Sequence, residues 1–517
     1  MSLHTLTATE LLARLATREV SAVDAVRACI ARIEAVDPAV NALPVRRFEA
    51  ALDEARAADA ARARGEGGPL CGLPITIKEN LDLAGFDSLL GVTGGPGGPA
   101  KQDAPVVAAL RQAGAIVLGK SNVAQLLLAQ ETESTRYGLT RNPFDLGRSP
   151  GGSSGGESAA VASGMAPLGL GTDIGGSVRI PCHFTGLYGT KGTVDRWPGR
   201  GAQSGVPGQE IVRSTLGPLA RSAADIALTF RVLDPVALGH ADPGVPPLPM
   251  PAPPSVAGLR IGWHDDDGYL TPTPAIQRAV RQARDVLEAA GATLVPLQPV
   301  DAGEVVFLWL AALGSDGGAT MRARIEGYNF VPQLKMASRL ARLPGALRST
   351  LALVAERTGE ARMARTLRAI GTKPVETLWQ LTARRTAMRW AELDRWNEAG
   401  IDAMLCPAHV VPAMPHHTSG DFAAATSYTF RYSLLNFPAG IAPVTRVTAA
   451  DVAATPPGKD RLERKLAAFT RDAEGLPIGV QVVARPWREE VMLALMLALD
   501  SGCRGQPDFP QTPVDPK

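Results

Sequence analysis

Cysteine is scarce in this chain: five in 517 residues, at positions 29, 71, 182, 406 and 503, an odd number with no C-x-x-C spacing. That argues against a disulfide framework or a cysteine zinc site, and it fits reduced thiols packed as small apolar side chains. An excess of either charge is also lacking, because 53 Lys and Arg stand against 51 Asp and Glu for a formal net charge of +2. Nothing in that balance points to nucleic acid as a partner. No window reaches the roughly 18 uninterrupted apolar residues of a membrane span, and the N-terminus has no basic segment leading into an apolar run, so neither a spanning helix nor a signal peptide is expected. The localisation expected is cytoplasmic. Histidine is thin at seven residues, and no G-x-S-x-G surrounds Ser177, which disfavours a Ser-His-Asp triad. His416 and His417, adjacent and without further spaced ligands, read as solvent-facing side chains and not as a metal site. Nucleotide loops are missing as well: the glycines at 169, 171 and 175 depart from G-x-G-x-x-G, and residues 186–193 lack Walker A spacing. No metal and no cofactor is expected.

What the chain does have is serine set in glycine. Residues 147–191 read GRSPGGSSGGESAAVASGMAPLGLGTDIGGSVRIPCHFTGLYGTK. Glycines flank Ser153 and Ser154 and precede Ser177, so the backbone can turn sharply there and bring main-chain N–H groups close to a ligand. The run Thr172-Asp173-Ile174-Gly175-Gly176-Ser177 can aim consecutive amides at one point, as a tetrahedral oxyanion requires. A flexible linker is the plainer reading of Gly/Ser-rich sequence. It is opposed by the apolar pieces at 159–162, 167–170 and 178–181. Upstream, PITIKEN ends an apolar strand on Lys78. On its own that lysine reads as a surface residue, but buried on such a strand its pKa would fall and it could accept a proton near neutrality.

These motifs resemble the signature of the amidase signature family, serine hydrolases that use a Ser-Ser-Lys triad. The resemblance implies that Ser177 is the nucleophile, that Ser153, 24 residues earlier, is the bridging serine, and that Lys78, a further 75 residues upstream, is the base. The residues alone do not choose between Ser153 and Ser154; the family's spacing selects Ser153 and leaves Ser154 as a hydrogen-bonding neighbour. It further implies a cis Gly152–Ser153 peptide, an oxyanion hole made by the amides of Ile174, Gly175, Gly176 and Ser177, and support from Thr172 and from an Asp173–Arg179 ion pair beneath the loop. The segments 206–233, 427–445 and 475–493 are most similar to the fatty acid amide hydrolase branch. That branch implies a small-molecule amide substrate, hydrolysed to acid and amine with an apolar or fatty acyl group, and a substrate-lining stretch at Leu126, Leu127 and Leu128, for which core packing is the plainer role. The alternatives are an A-subunit-like component of a glutamine-dependent transfer-RNA amidotransferase, delivering ammonia to a partner subunit, from which TDIGGSVR departs, an amidase for small, peptide or cyclic amides, and a catalytically silent scaffold, which the retained Lys78, Ser153 and Ser177 oppose.

Periodicity organises the rest. Thr7-x-x-Glu10 resembles a capping box, and Ser21 can cap a helix striped by Val23, Val26, Ile30 and Ile33. Strand-like Leu73–Ile77, a helix near 103–113 and strand-like Ala115–Lys120 follow, an alternation that reads as α/β with a largely parallel sheet. The family resembled folds as one α/β domain with a mixed twisted sheet among many helices. Across 1–517 this gives N-terminal helices at about 6–60, the signature core at about 68–235, a connection at 235–258, a helical cap at about 300–400, and C-terminal strands and a helix at 401–502. The connection carries eight prolines, too many for a helix or a central strand, and leads into a strand at Leu259–Trp263. Residues 335–368 hold eight Lys and Arg against two Glu, with Leu340, Leu343, Leu347, Leu351 and Val354 spaced for one helical face around Pro344. Such a stretch fits peripheral membrane contact, the plainer alternative being a solvated face on a packed helix. A homodimer is left open.

Overall fold

The computed structural model describes residues 2–95, 97–421 and 425–517. Thirteen strands are present among them: β1 Val45–Arg46, β2 Pro74–Lys78, β3 Ile116–Ser121, β4 Glu133–Ser134, β5 Gly138–Leu139, β6 Leu168–Asp173, β7 Tyr188–Lys191, β8 Thr215–Ala220, β9 Arg260–Trp263, β10 Thr293–Pro296, β11 Ala403–Pro407, β12 Ala439–Arg446 and β13 Pro477–Ala484. Apart from the small β4–β5 hairpin, they form one sheet in the order β1-β3-β2-β6-β8-β7-β12-β13-β11-β9-β10. Four neighbouring pairs are parallel (β2–β3, β2–β6, β9–β10, β9–β11) and six are antiparallel. The sheet is therefore mixed, and the largely parallel reading holds only for the two runs around β2 and β9. The difference lies in β7, β8, β12 and β13, which pair through turns and long returns that hydrophobic alternation does not encode.

β2, β3 and β6 are buried along their whole length, as strands covered on both faces are, and they read as apolar runs for that reason. Helices Gly155–Ala162, Arg179–Thr185, Pro274–Ala289 and Glu489–Cys503 pack on the sheet. At the N-terminus, Thr7 and Glu10 form the expected capping box on Ala8–Ala16. Ser21 caps Ala22–Val40, its Oγ accepting from the Asp24 amide at 3.0 Å. All five cysteines are buried free thiols.

Two local readings are corrected. Within the proline-rich connection, Pro235–Leu238 forms a helical turn: Asp234 caps it and Pro235 takes the first position, where proline's missing N–H costs nothing. The basic stretch is three helices, Pro332–Arg342, Gly345–Arg357 and Ala361–Ala369, because Pro344 forces Leu343 out of the helical region. Its apolar stripe is split accordingly. Leu340 and Leu343 are half-buried, whereas Leu347, Leu351 and Val354 are exposed on the middle helix.

Candidate active site

β2 ends on Lys78, between β3 and β6, with no exposed surface. Its Nζ donates to Ser153 Oγ at 2.8 Å and to Thr172 at both Oγ1 (2.9 Å) and the carbonyl (3.3 Å). Burial lowers the ammonium to about 7, against the opposing pull of Asp173, Glu157 and Glu79. A lysine in that state is divided between ammonium and free amine at neutral pH.

The two adjacent serines part company. Ser153, which follows a cis Gly152–Ser153 peptide, turns its hydroxyl to Lys78. Ser154 turns its own to the Thr172 carbonyl at 3.3 Å, while its amide donates to the Ser177 carbonyl at 3.1 Å. The choice that the residues left open is thus made by side-chain direction. The same amide ties the first serine loop to the second.

Asp173 ends β6 and organises the turn that carries Ser177. Its carboxylate accepts from the amides of Gly176 (2.7 Å) and Val178 (3.1 Å), and from Arg179 Nε (3.0 Å) and Nη2 (2.9 Å). Both side chains are fully buried, and the remaining Arg179 donors reach Gln481 Oε1 (2.8 Å), the Thr429 carbonyl (3.0 Å) and Ser433 Oγ (2.7 Å). Burial alone would raise the Asp173 carboxyl; Arg179 overrides it and holds the group at about 2. An unpaired charge at this depth would be severely destabilising, whereas this pair has its hydrogen bonds satisfied.

The Gly176 amide is therefore already engaged by Asp173, which removes it from the expected set of oxyanion donors. Among the described residues no acceptor meets the amides of Ile174, Gly175 and Ser177. Glycine is required on steric grounds at both central positions. A Cβ on Gly175 would stand 2.7 Å from Trp309 Cζ2, and one on Gly176, where φ is +122°, would stand 2.7 Å from Thr429 Oγ1.

Ser177 opens on a cavity of about 220 Å³ lined by Gly152, Gly175, Leu127, Leu128, Trp309 and Phe430 among others. Trp309 and Phe430 stack with centroids 3.7 Å apart, and the indole N–H donates to the Ile174 carbonyl at 3.3 Å. A second cavity of about 460 Å³ adjoins it, sharing Leu128, Trp309, Leu310 and Leu313 and extending to Met336 and Leu340. Leu126 does not line either cavity: it is buried with Leu90, Val92 and Met321, in a cluster against which Leu127 and Leu128 also pack. The expected leucine stretch thus contributes two of its three members.

Sequence reasoning missed Trp309 and Phe430, which come from segments more than 130 residues away from Ser177, and it missed Glu157, which carried a signal as a lone acid in the small-residue run GGESAAVA. The histidine reading also needs correction. His417 is exposed, but His416 is mostly buried between Glu131 Oε1 and the Leu146 carbonyl, each at 3.2 Å from a ring nitrogen. No metal-binding group of His, Cys, Asp and Glu occurs among the described residues.

Fold and site together describe an α/β enzyme with a buried lysine and two serine loops beside an apolar cavity. The chain belongs to the amidase family, whose sequence model matches residues 24–493. It is similar to fatty-acid amide hydrolase 1 of Sus scrofa, 37% identical over 436 residues that cover 83% of this chain and 75% of that protein. Its fold is that of a solved fatty acid amide hydrolase, with a TM-score of 0.81 at 24% identity, covering 96% of this chain and 85% of the other. Fatty acid amide hydrolase 1 of Caenorhabditis elegans is 34% identical over 445 residues, 85% of this chain and 77% of that protein. A glutamyl-tRNA(Gln) amidotransferase chain of Moorella thermoacetica is 41% identical, but over 296 residues only, 56% of this chain and 60% of that one. The protein is an amidase, a hydrolase of carbon–nitrogen bonds.

Proposed function

We propose that Ser177 attacks the amide carbonyl, with Ser153 and Lys78 as its proton relay. The observation that carries this is the 2.8 Å contact between Ser153 Oγ and a fully buried Lys78 brought to about 7. Lys78 Nζ takes the proton of Ser153 as Ser153 takes that of Ser177, and Ser177 Oγ bonds to the carbonyl carbon. The amides of Ile174, Gly175 and Ser177 receive the oxyanion. The proton then returns through Ser153 to the nitrogen, the C–N bond breaks and the amine leaves; water hydrolyses the acyl-enzyme by the same route. None of these steps calls for a cofactor.

The substrate class we infer is a linear amide with an apolar acyl group, because the space beyond Ser177 is walled by Leu127, Leu128, Trp309, Leu310, Leu313 and Phe430. Fatty amides fit the adjoining second cavity. One amidase domain over 1–517 is the matching organisation, since the single sheet draws strands from residue 45 to residue 484. Peripheral contact with a lipid surface is favoured by the exposed Leu347, Leu351 and Val354, and by Trp379 (71% exposed) and Trp390 (63%) on the helix Val375–Glu398. No helix among the described residues is long and apolar enough to cross a membrane.

Labelling with a fluorophosphonate followed by peptide mapping tests the nucleophile. The modified residue is expected to be Ser177, and Ser177→Ala is expected to abolish labelling; labelling that persists in that variant overturns the assignment. For the lipid surface, co-sedimentation with anionic vesicles is compared between wild type and a variant carrying Glu at the exposed Arg339, Arg342 and Arg357. Arg348 is left alone because it donates to the Leu343 carbonyl at 2.6 Å. Absence of binding by the wild type rejects this contact.

A further inference from the structure

A carboxyl that the relay does not use lies behind the lysine. Glu157 sits in the first turn of the helix Gly155–Ala162, four residues after Ser153, and is completely buried. Thr76 Oγ1 donates to its Oε1 and Ser121 Oγ to its Oε2. Thr76 lies two residues before Lys78, on the same face of β2. Ser121 stands opposite Lys78 on β3, and Gly169 stands opposite Thr76 on β6. At Gly169 any Cβ would collide with Glu157 Oε1. Three adjacent strands thus converge on this carboxyl, with two hydroxyls holding it and a glycine leaving room for it.

Three carboxyls act on Lys78: Asp173, Glu157 and Glu79. Asp173 is bonded to Arg179 and also feels Lys191. Glu79 accepts from the amides of Leu89 (2.7 Å) and Leu90 (3.0 Å), with Lys120 and Arg136 acting on it. Glu157 makes no ion pair among the described residues, and the cation that acts on it is Lys78.

We propose that Glu157 is a positioning residue for the base, its carboxyl setting the charge that Lys78 carries when the relay operates. An ionised Glu157 stabilises the ammonium formed as Lys78 accepts the proton; a protonated one favours the free amine from which the relay starts. Burial raises this carboxyl to about 7, against its hydroxyl donors and Lys78, the same value to which burial brings the lysine. The two groups therefore share one proton near neutral pH, as ammonium with carboxylate or as amine with carboxyl, and they titrate as a pair. This inference rests on the relay proposed above.

Glu157→Gln tests it, because the amide keeps the shape and removes the charge. The measurement is the rate of Ser177 acylation by a fluorophosphonate as a function of pH. Loss of a neighbouring negative charge lowers the lysine's pKa, so the acid limb is expected to move down by about one pH unit. The plateau above it is expected to fall by about tenfold, as the ammonium loses its counter-charge. A variant slowed by one factor at every pH, with its acid limb unmoved, would show a merely structural role and overturn the proposal. If Glu157→Gln does not fold, Thr76→Val removes one donor, raises the carboxyl and is expected to shift the limb in the same direction by less; an unmoved limb there overturns it equally. Failure of the relay reads differently: the wild type would then be unlabelled at Ser177, or Lys78→Ala would retain the wild-type acid limb.

Discussion

Lys78 Nζ stands 2.8 Å from Ser153 Oγ, while the neighbouring hydroxyl of Ser154 points at a carbonyl. One residue of displacement separates a hydroxyl that meets the buried lysine from a hydroxyl that meets a main-chain carbonyl.

That separation predicts unequal alanine variants. In the proposed relay Ser153→Ala removes the link between Lys78 and Ser177, and acylation is expected to slow by about 10²- to 10⁴-fold. Ser154→Ala loses one long contact, and its rate is expected to stay within about tenfold of wild type, since a neutral hydrogen bond contributes on the order of 1 kcal/mol. Labelling rates measured side by side check the ordering; equal losses would count against Ser153 as the bridge.

The lysine sets the pH dependence. With Lys78 at about 7, kcat/KM is expected to level off above that pH and to fall by about tenfold per unit below it, as the free amine is lost to protonation. The profile of Lys78→Ala should be slow and should lack this limb. A wild-type rate that stays flat well below neutrality would remove the lysine as base.

Asp173 and Arg179 bear on stability. Arg179→Ala leaves a buried carboxylate without its cation, a loss of about 3–5 kcal/mol in comparable cases, and Tm is expected to drop accordingly. The folded Asp173 sits at about 2, below its ordinary 3.8. Its contribution is thus complete above the unfolded value and lost as pH falls from about 4 through about 2, on the order of 2 kcal/mol in all. Denaturant unfolding followed with pH should show this loss in wild type, and no such acid-dependent loss in Asp173→Asn.

Leu313 lies where the two cavities meet. Leu313→Trp is expected to raise KM for long acyl chains by about tenfold or more while leaving acetamide turnover within about twofold, as filling a hydrophobic site alters only the substrates that reach it. A hydrolysis panel from acetamide to long-chain acyl ethanolamides checks this. Equal losses along the panel would place the acyl chain elsewhere.

The chemistry was easier to read in the sequence than the surroundings. Gly152, Gly175 and Gly176 punctuate the two serine loops because the backbone needs them there, so the loops are visible as local text. β2 is visible because a strand buried on both faces is mostly apolar, here through Pro74, Ile75 and Ile77. The order of the sheet is not visible, since β12 and β13 meet β7 and β11 only through the assembled fold. Trp309 and Phe430 look like ordinary core residues until their segments converge on Ile174. Leu340 to Val354 are spaced for one helix, and only the break at Pro344 turns that stripe into two surfaces. Nothing in the motif says that Asp173 accepts from the Gly176 amide.

The cavity has two kinds of wall. Ile174, Gly175 and Phe430 belong to elements locked to the sheet by Arg179 and its partners. Trp309, Leu310, Leu313, Leu334 and Ala337 ride on two other helices, Ala302–Leu313 and Pro332–Arg342. Changes at Leu310, Leu313, Leu334 and Ala337 can reshape the cavity without touching the hydrogen bonds around Lys78 and Asp173, whereas Trp309 also bonds the Ile174 carbonyl. Substrate preference can therefore be altered through these two helices while the buried ion pair and the lysine keep their surroundings.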